Sequence, residues 1–492
     1  MAENFVQFQG YAPDLPPETP GIFIDCSNIV PQPDGFEALG SPIDVGADAL
    51  TAQARGFVII NKVDNTKRIF GATQTKIYEL SGSTWTDRTQ AGNYDVGSDQ
   101  TGRIRFAQFG NVTLAAVGHA NYLQASASTA FANVVTAAPQ CKIVETVNNF
   151  VFAFNYADSV HGLGTRENGW WCSAIGDETD WTPDISTQCV AGAFQQTPGP
   201  VVAARRLGDA IVAYKQTSMF LGQYVGVPDA WQWRQLPGEL GTFCQEAVVN
   251  VGTAHYFISK DDFQMFDGSR VVPIGSPVSR SFFEDLSEQY ASLITSAHDK
   301  ANGLIYWFYP SNSGGGTINK GIVYNYKVNK WGRADHTVEI AGEYIEPGVT
   351  YEGIGSLYST YDDLPTDLSY DSSYLSPSSS SVAYFNTSHD ITTFAGTPTS
   401  SSITTGHYGD IENFTTVQKI RPRFLVSPAS STLEYSYGNT NADDMTQNIT
   451  TTLINNVYDL LWSARWHKFK FNYSGAMKIT GFTGDYTKDG SE

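Results

Sequence analysis

The sequence has few charged residues and no long apolar run. Charged residues make up 16% of the 492 residues, well under the roughly 25% typical of globular domains. The absence of any run of about 18 apolar residues argues against a membrane-spanning helix. The first residues contain no basic segment followed by an apolar one, so no signal peptide is indicated. We therefore expect a chain that folds in a cytoplasm and has no membrane-spanning segment.

Cysteine is also scarce, and its spacing argues against a zinc site. The chain has five cysteines, at Cys26, Cys141, Cys172, Cys189 and Cys244. No two form a C-x-x-C pair, and no histidine stands at zinc-ligand spacing from them. We expect reduced thiols that are mostly buried.

The common catalytic motifs are missing as well. The sequence contains no G-x-S-x-G, P-loop, G-x-G-x-x-G, H-E-x-x-H or EF-hand pattern, and its eight histidines are isolated. The adjacent Asp261 and Asp262 make a poor acid–base pair because neighbours on a strand point to opposite faces; a hairpin turn fits them better. The Gly-rich run at 313–320 lacks a phosphate-binding ending and is predicted to be a hairpin loop. The sequence predicts no catalytic residue, no cofactor and no metal.

What the chain does contain favours β-structure and an acidic surface. Hydrophobic residues make up 41% and aromatics 13%, beside abundant Ser, Thr, Asn and Gly. β-Branched and aromatic side chains suit strands, and Asn and Gly suit tight turns. The 50 acidic and 30 basic residues give a net charge of −20. Such a field repels nucleic acid at long range, although it permits DNA to slide through a channel without sticking.

A strand–turn–strand unit recurs between about residues 51 and 342. Its first turn falls every 40 to 60 residues or so, the spacing of four-stranded propeller blades. A tryptophan commonly closes the unit, as at Trp85, Trp181, Trp231 or Trp233, and Trp331. The indexed first turns are Asn65, Asn111, Asn149, Asp209, Thr253 and Gly303. The pattern favours a β-propeller, whose blade number stays open, over a generic β-rich chain.

The regions on either side of the repeat differ in composition. Residues 1–50 are Pro-rich and predict an extended arm. Residues 51–350 form the propeller-like domain, residues 351–415 a Ser/Tyr/Asp-rich extension that orders against a neighbour, and residues 416–492 a C-terminal antiparallel β-sandwich. Helical periodicity occurs only at 282–293 and 453–461. The fold class is therefore all-β, with a propeller-like core, an N-terminal arm and a C-terminal sandwich.

The arm and the extension supply the candidate assembly contacts. Segments of this kind gain order on binding, and exposed aromatic residues commonly anchor interfaces. The candidate interface residues are Tyr11, Pro20, Ile22, Phe23, Pro31, Tyr358, Tyr361, Tyr370 and Tyr374.

Three segments resemble the tail nozzle or hub proteins of bacteriophages, also called packaged-DNA stabilisation proteins in short-tailed phages. The first is the Pro-rich opening that leads to Gly21, residues 28–31 and Gly35. The second is residues 207–214 with 219–224. The third is residues 238–244, 256–260, 266–268 and 273–275. The three segments span about half the chain, and no catalytic residue is carried over with the resemblance.

The resemblance implies a structural virion protein of the phage tail, assembled in the host cytoplasm. Its subunits would form a homohexameric ring below the portal and adaptor. The ring would continue the DNA channel at this head–tail connection, help retain packaged double-stranded DNA until ejection, and anchor fibres or spikes. DNA would pass through the lumen without sequence-specific binding. The alternatives are another tail-tip or fibre-attachment component, or a propeller that binds or cleaves glycans.

Overall fold

The computed structural model describes residues 4–62, 67–90, 92–97, 101–345, 381–440, 445 and 447–490. In these residues the regular secondary structure is nearly all β-strand, with one short α-helix and two short 3-10 helices. The strands form a propeller and a two-sheet sandwich that share one continuous sheet. No helix in these ranges is long and apolar enough to cross a membrane.

The propeller has seven four-stranded antiparallel blades within the described ranges. Blade 1 contains Gly56–Asn61, Lys67–Ala72, Ile77–Ser81 and Thr84–Asp87. Blade 2 contains Arg105–Phe109, Val112–Ala116, Gln124–Ser126 and Ala132–Asn133. Blade 3 contains Gln140–Val147, Phe150–Asp158, Gly164–Cys172 and Ala191–Ala193. Blade 4 contains Ala203–Leu207, Ala210–Tyr214, Met219–Gly226 and Ala230–Gln235. Blade 5 contains Val248–Asn250, His255–Ile258, Phe263–Phe266 and Val271–Pro273. Blade 6 contains Thr295–Asp299, Leu304–Pro310, Ile318–Asn325 and Lys330–Arg333. Blade 7 contains Ile340–Tyr344, Ser381–Phe385, Ile391–Gly396 and Ser41–Asp44.

The first strand of each blade lies innermost, and these seven strands contact one another in a closed ring. Blade 7 closes the ring with a strand from the other end of the chain. Its outermost strand, Ser41–Asp44, pairs antiparallel with Ile391–Gly396, so that Thr393 lies opposite Ile43. The ring is therefore fastened by hydrogen bonds between segments about 350 residues apart in sequence.

The repeat predicted from sequence corresponds to the blades. Five of the six indexed turns lie between the first and second strands of blades 2 to 6, and Asn65 lies outside the described residues. In blade 3 this turn is Asn148–Asn149, both at positive φ (48° and 63°), which suits a two-residue hairpin. Trp85, Trp231, Trp233 and Trp331 lie on fourth strands, whereas Trp181 lies in a loop and packs against Trp171.

The sandwich is built from both ends of the chain. Its first sheet contains Ile29–Gln32, Gly35–Ala38, Lys478–Gly490, Phe414–Val426 and Tyr458–Ala464 in that order, with Asn4–Gln7 on Lys478–Gly490. Its second sheet contains Gly10–Tyr11, Ile22–Ser27, Ser401–Gly409, Trp466–Ser474, Ser430–Gly438 and Gln447–Thr452. Arg333 of blade 6 pairs with Ile29, which joins the propeller to the first sheet.

The predicted arm is part of this core rather than a separate extension. Phe8, Phe23 and Phe36 are fully buried among aromatic residues of the C-terminal strands. Asp14 accepts hydrogen bonds from the backbone N–H groups of Arg280 and Ser281, so it caps the α-helix Ser279–Asp285. The prolines keep the segment extended, and its apolar residues then provide the contacts that dock it.

The predicted extension over 351–415 is divided differently in the structure. Residues 346–380 lie outside the described residues. Ser381–Phe385 and Ile391–Gly396 belong to blade 7, and Ser401–Gly409 belongs to the sandwich. Both elements therefore recruit strands from beyond their predicted limits, because strand pairing joins segments that are distant in sequence.

One of the two predicted helices is wrong. The periodic residues after Pro277 form the α-helix Ser279–Asp285 and the 3-10 helix Glu288–Leu293. The segment 453–461 instead contains a turn at Asn455 and Asn456, both at positive φ (50° and 61°), followed by the strand Tyr458–Ala464. The two asparagines favour a tight turn, and this preference prevails over the helical spacing of the leucines.

Candidate functional site

The central channel of the propeller brings together charged side chains from several blades. It encloses a cavity of about 600 Å³, lined by residues of all seven blades. The titratable residues in the lining are Arg105, Glu145, Arg205, Arg206, Glu246, His298, Lys300 and Glu343. A channel with this lining suits polar or charged molecules better than apolar ones.

A salt bridge crosses the channel between Arg105 on blade 2 and Glu246 just before blade 5. Arg105 donates from Nε to Glu246 Oε1 (2.8 Å) and from Nη2 to Oε2 (3.1 Å). Both side chains are about 15% exposed. Burial alone would raise the pKa of Glu246, but the charge and hydrogen bonds of Arg105 outweigh it and lower this pKa. Glu246 is thus held as a carboxylate inside the channel.

The 3-10 helix Gln245–Ala247 holds Glu246 at this position. The Gln245 side-chain amide accepts a hydrogen bond from Ala204 N (2.6 Å) and donates one to Ala204 O (2.7 Å). Ser296 Oγ donates to the Glu246 carbonyl, and Trp307 Nε1 donates to the Ala247 carbonyl (3.1 Å). Blades 4 and 6 therefore fix the backbone that presents the Glu246 carboxylate.

Arg205 and Glu145 lie on neighbouring blades in the same channel. Arg205 Nε is buried and makes no hydrogen bond to any described residue, and its Nη2 reaches the Gln245 carbonyl only at 3.5 Å. Burial raises the pKa of Glu145, and the nearby Arg205 charge offsets part of this rise. The two groups form no salt bridge, so each retains hydrogen-bonding capacity toward the cavity.

A second polar group in the channel joins blades 6 and 7. Lys300 Nζ donates to Glu343 Oε2 (2.7 Å), and His298 Nδ1 lies 3.6 Å from Glu343 Oε1. Burial would raise the pKa of Glu343, but the nearby His298 and the hydrogen bond and charge of Lys300 lower it instead. Lys300 and Glu343 therefore largely neutralise each other.

The candidate interface residues predicted from sequence do not form one surface. Ile22, Phe23 and Pro31 are buried within this chain, and the Pro31 carbonyl accepts a hydrogen bond from Asn325 (2.9 Å). The structure places these three residues in the chain's own core rather than on a surface, because their side chains pack among its other buried residues.

Two of the other candidates, Tyr11 and Pro20, differ in how far they are buried. Tyr11 is half-buried with the Arg333 guanidinium 5.8 Å from its ring centre, and burial is the main cause that raises its pKa. Pro20 is exposed. The remaining candidates, Tyr358, Tyr361, Tyr370 and Tyr374, lie outside the described residues.

Sequence reasoning missed an exposed apolar edge of the sandwich. The strand Tyr458–Ala464 is the last in the first sheet. On it and the preceding turn, Ile454, Leu461 and Trp462 are 62%, 73% and 43% exposed; we call these three residues the edge patch. The Asn455–Asn456 pair was the available signal, since it predicts a turn and hence a following strand.

Two histidines and the Asp261–Asp262 pair take part in hydrogen bonds that hold the fold together. His255 hydrogen-bonds Tyr214 and the Arg206 carbonyl, and His467 hydrogen-bonds Thr415 and Tyr435. Asp261 and Asp262 occupy the turn between two strands of blade 5, closed by Ser259 N to the Asp262 carbonyl (2.9 Å). The run 313–320 spans the turn between two strands of blade 6 and the start of the second. The turn and hairpin predictions are confirmed.

Comparison with known proteins identifies no family. No family model matches the chain, and no curated protein matches it. One similar solved structure is PorZ of Porphyromonas gingivalis, described as an essential bacterial surface component of the type-IX secretion system. The match has 11% identity and a TM-score of 0.35, and covers 60% of this chain but only 35% of PorZ. Another is apo AztD from Citrobacter koseri, with 11% identity and a TM-score of 0.31, covering 63% of this chain and 93% of AztD.

Proposed function

We propose that this chain is a structural subunit of a bacteriophage tail, forming a nozzle or hub ring. In this role it continues the DNA channel below the portal and adaptor, helps retain packaged DNA and anchors fibres or spikes. The proposal rests on the sequence resemblance and the acidic composition. From the structure, the edge patch supports it most directly, because it is a surface suited to contact with a neighbouring subunit.

The edge patch combines two features that are unfavourable in an isolated chain. Leu461 is 73% exposed and is held at φ 67°, a conformation uncommon for residues other than glycine. Such backbone outliers often mark functional positions. The strand that contains Leu461, Tyr458–Ala464, lies at a sheet edge and presents unpaired backbone groups there. Proteins usually shield such an edge or use it for association. A subunit that covered this edge would give its backbone groups hydrogen-bond partners and would remove its apolar side chains from water.

The acidic surplus fits the same role. A net charge of −20 gives each copy a field that repels a DNA duplex. In a ring around DNA, this repulsion lets the duplex slide rather than bind. We therefore expect no tight binding of the purified chain to duplex DNA at physiological salt; nanomolar binding in a filter or gel assay would contradict the channel role.

The main experiment is to measure the assembly state over a range of concentrations by analytical ultracentrifugation, with negative-stain images of the largest species. We expect closed rings, with six-fold symmetry by analogy with the family. The Leu461→Glu variant should shift the distribution toward monomer, because it places a charge in a desolvated contact. Ile185→Glu is the matched control, since Ile185 is 61% exposed in a loop of blade 3.

Two outcomes would contradict the proposal. One is a chain that stays monomeric at every concentration. The other is an assembly that Leu461→Glu and Ile185→Glu change equally, since the edge patch would then have no special part. A monomer that cleaves or binds surface polysaccharide would favour the glycan-directed alternative.

A further inference from the structure

We propose that the central channel of the propeller binds a small hydroxylated organic anion, with Arg205 holding its carboxylate or phosphate group. The site is independent of the edge patch and of any ring assembly. Three observations support it: the charge balance around Glu246, the unsatisfied donors of Arg205 and the size of the cavity.

The charge balance near Glu246 is positive although the whole chain is acidic. Arg103, Arg105 and Arg205 all act electrostatically on Glu246, but only Arg105 forms a salt bridge with it. Arg103 is buried outside the cavity lining, donates to main-chain carbonyls at 3.3 and 3.5 Å, and also acts electrostatically on Glu339. Arg205, in contrast, lines the cavity and forms no salt bridge with a described residue. Positive charge taken out of water without a partner is costly, and a bound anion supplies that partner.

Arg205 has the donors that such an anion needs. A guanidinium carries five N–H donors in a planar fork. Among the described residues, Arg205 Nε has no acceptor and Nη2 has one at 3.5 Å, beyond the usual hydrogen-bond range of about 2.7–3.2 Å. Carboxylate and phosphate oxygens accept two parallel hydrogen bonds from this fork. Arg206, next on the strand and exposed, also lines the cavity and adds a second positive charge.

The cavity is larger than an inorganic ion requires. Its volume of about 600 Å³ lies in the range of small-molecule sites, about 300–1,000 Å³. Beyond Arg205 its wall carries the carboxyl group of Glu145, whose pKa is raised by burial, and the imidazole of His298, whose Nδ1 lies 3.6 Å from Glu343 Oε1. These groups suit hydroxyls better than an apolar ring. A sugar acid or a sugar phosphate has both the anionic group and the hydroxylated body.

The first test is isothermal titration calorimetry on the full chain at constant ionic strength. The probes are glucuronate, glucose 6-phosphate, inorganic phosphate and glucose. We expect at least one sugar anion to bind and glucose to show no heat of binding. Binding of glucuronate alone assigns a carboxylate site, and binding of glucose 6-phosphate alone assigns a phosphate site. Failure of both sugar anions to bind overturns the proposal. So does inorganic phosphate that binds as tightly as they do, because the organic body would then contribute nothing.

Two variants act on the site in opposite directions. Arg205→Gln should raise the Kd about tenfold to a hundredfold, the loss expected for charged hydrogen bonds. Glu246→Gln removes the carboxylate that competes for Arg105, so we expect the Kd to fall several-fold. An unchanged Kd in both variants excludes the channel as the binding site.

The matched control is Arg234→Gln. Arg234 is exposed on the fourth strand of the same blade, and its loss changes the net charge as much as Arg205→Gln does. Its Kd should equal that of the unmodified chain. A Kd that rises equally in Arg205→Gln and Arg234→Gln indicates a general charge effect and contradicts a specific site. Arg205 makes only one long hydrogen bond to the residues that the structure describes, so the variant is expected to fold.

Discussion

Arg105 and Glu246 connect opposite sides of the propeller channel through two hydrogen bonds, although 141 positions separate them in sequence. Two blades lie between them on one side of the ring and three on the other. The pair therefore acts across the ring rather than between neighbouring blades, and it limits how far the channel can widen.

Removing one partner of this pair should destabilise the chain. We expect Glu246→Ala or Arg105→Ala to lower the free energy of unfolding by about 3 kcal/mol, since each leaves a desolvated charge unpaired. The double change Arg105→Met with Glu246→Leu should recover most of this loss. Urea unfolding followed by tryptophan fluorescence measures all three variants.

The exposed pair Lys76–Asp87 provides the control for that measurement. Its side chains are 37% and 44% exposed, so Lys76→Ala should change the free energy of unfolding by less than about 1 kcal/mol. If Glu246→Ala costs no more than Lys76→Ala, the channel pair contributes no stability.

Two buried histidines should make stability fall with acidification. Burial is the main cause that lowers the pKa of His255 and of His467 from 6.5 to about 4. Between these values the unfolded chain binds more protons than the folded one, so stability decreases as the pH falls through this window. Each histidine should contribute up to about 2 kcal/mol of this loss between about pH 7.5 and about pH 5.

The test replaces each histidine by glutamine and compares urea unfolding at the two pH values. In the variants the loss of stability on acidification should be smaller by the contribution of that histidine. At the higher pH both histidines are neutral. The difference in the free energy of unfolding between wild type and variant then reports the lost hydrogen bonds to Tyr214 and Tyr435, without a contribution from protonation. An identical pH dependence in wild type and variants would show that neither histidine controls it.

The five cysteines should be unreactive until the chain unfolds. All are free and buried, and burial raises the pKa of Cys141, Cys172, Cys189 and Cys244 to about 12. Few thiolates are then available at neutral pH, and the reagent has no access to them. Ellman's reagent should label almost no thiol in the native chain and all five in urea. Rapid labelling of a native cysteine would contradict the buried positions.

The N-terminal segment should matter for stability as much as the interior of a domain. Phe23→Ala should lower the free energy of unfolding by about 3–5 kcal/mol, because it leaves a cavity in the sandwich core. Leu15→Ala, in the same segment but 37% exposed, should change it by no more than about 0.5 kcal/mol. If both changes altered the free energy of unfolding equally and only slightly in a denaturant titration, the N-terminal segment would behave as a detached arm.

Local features of the sequence predicted the blades well and their closure poorly. The turns at Asn111, Asn149 and Asp209 were predictable because a hairpin depends on residues within about ten positions. The blade number stayed open in the sequence, and blade 7 was not indexed, because its outermost strand, Ser41–Asp44, is supplied from the opposite end of the chain. The same long-range pairing placed Ile22 and Phe23 in the core, although their segment has the composition of an arm.

The channel residues were beyond prediction for a related reason. Arg105, Arg205 and Glu246 belong to no motif, and each stands on an inner strand or just before one. Only closure of the ring brings these positions together. The sequence predicted the acidic total charge but not the local positive surplus, because the total says nothing about which charges share a cavity.

The strand that closes blade 7 also sets an order for biosynthesis. Ser41–Asp44 is synthesised some 350 residues before its partner Ile391–Gly396. The strand Asn4–Gln7 pairs with residues 481–484, which are synthesised later still. Until then the early strands have unpaired edges and exposed apolar side chains, the condition in which nascent chains aggregate or recruit chaperones. Synthesis of residues 391–396 and 481–484, rather than emergence of any one blade, is therefore the step that allows these early strands to pair.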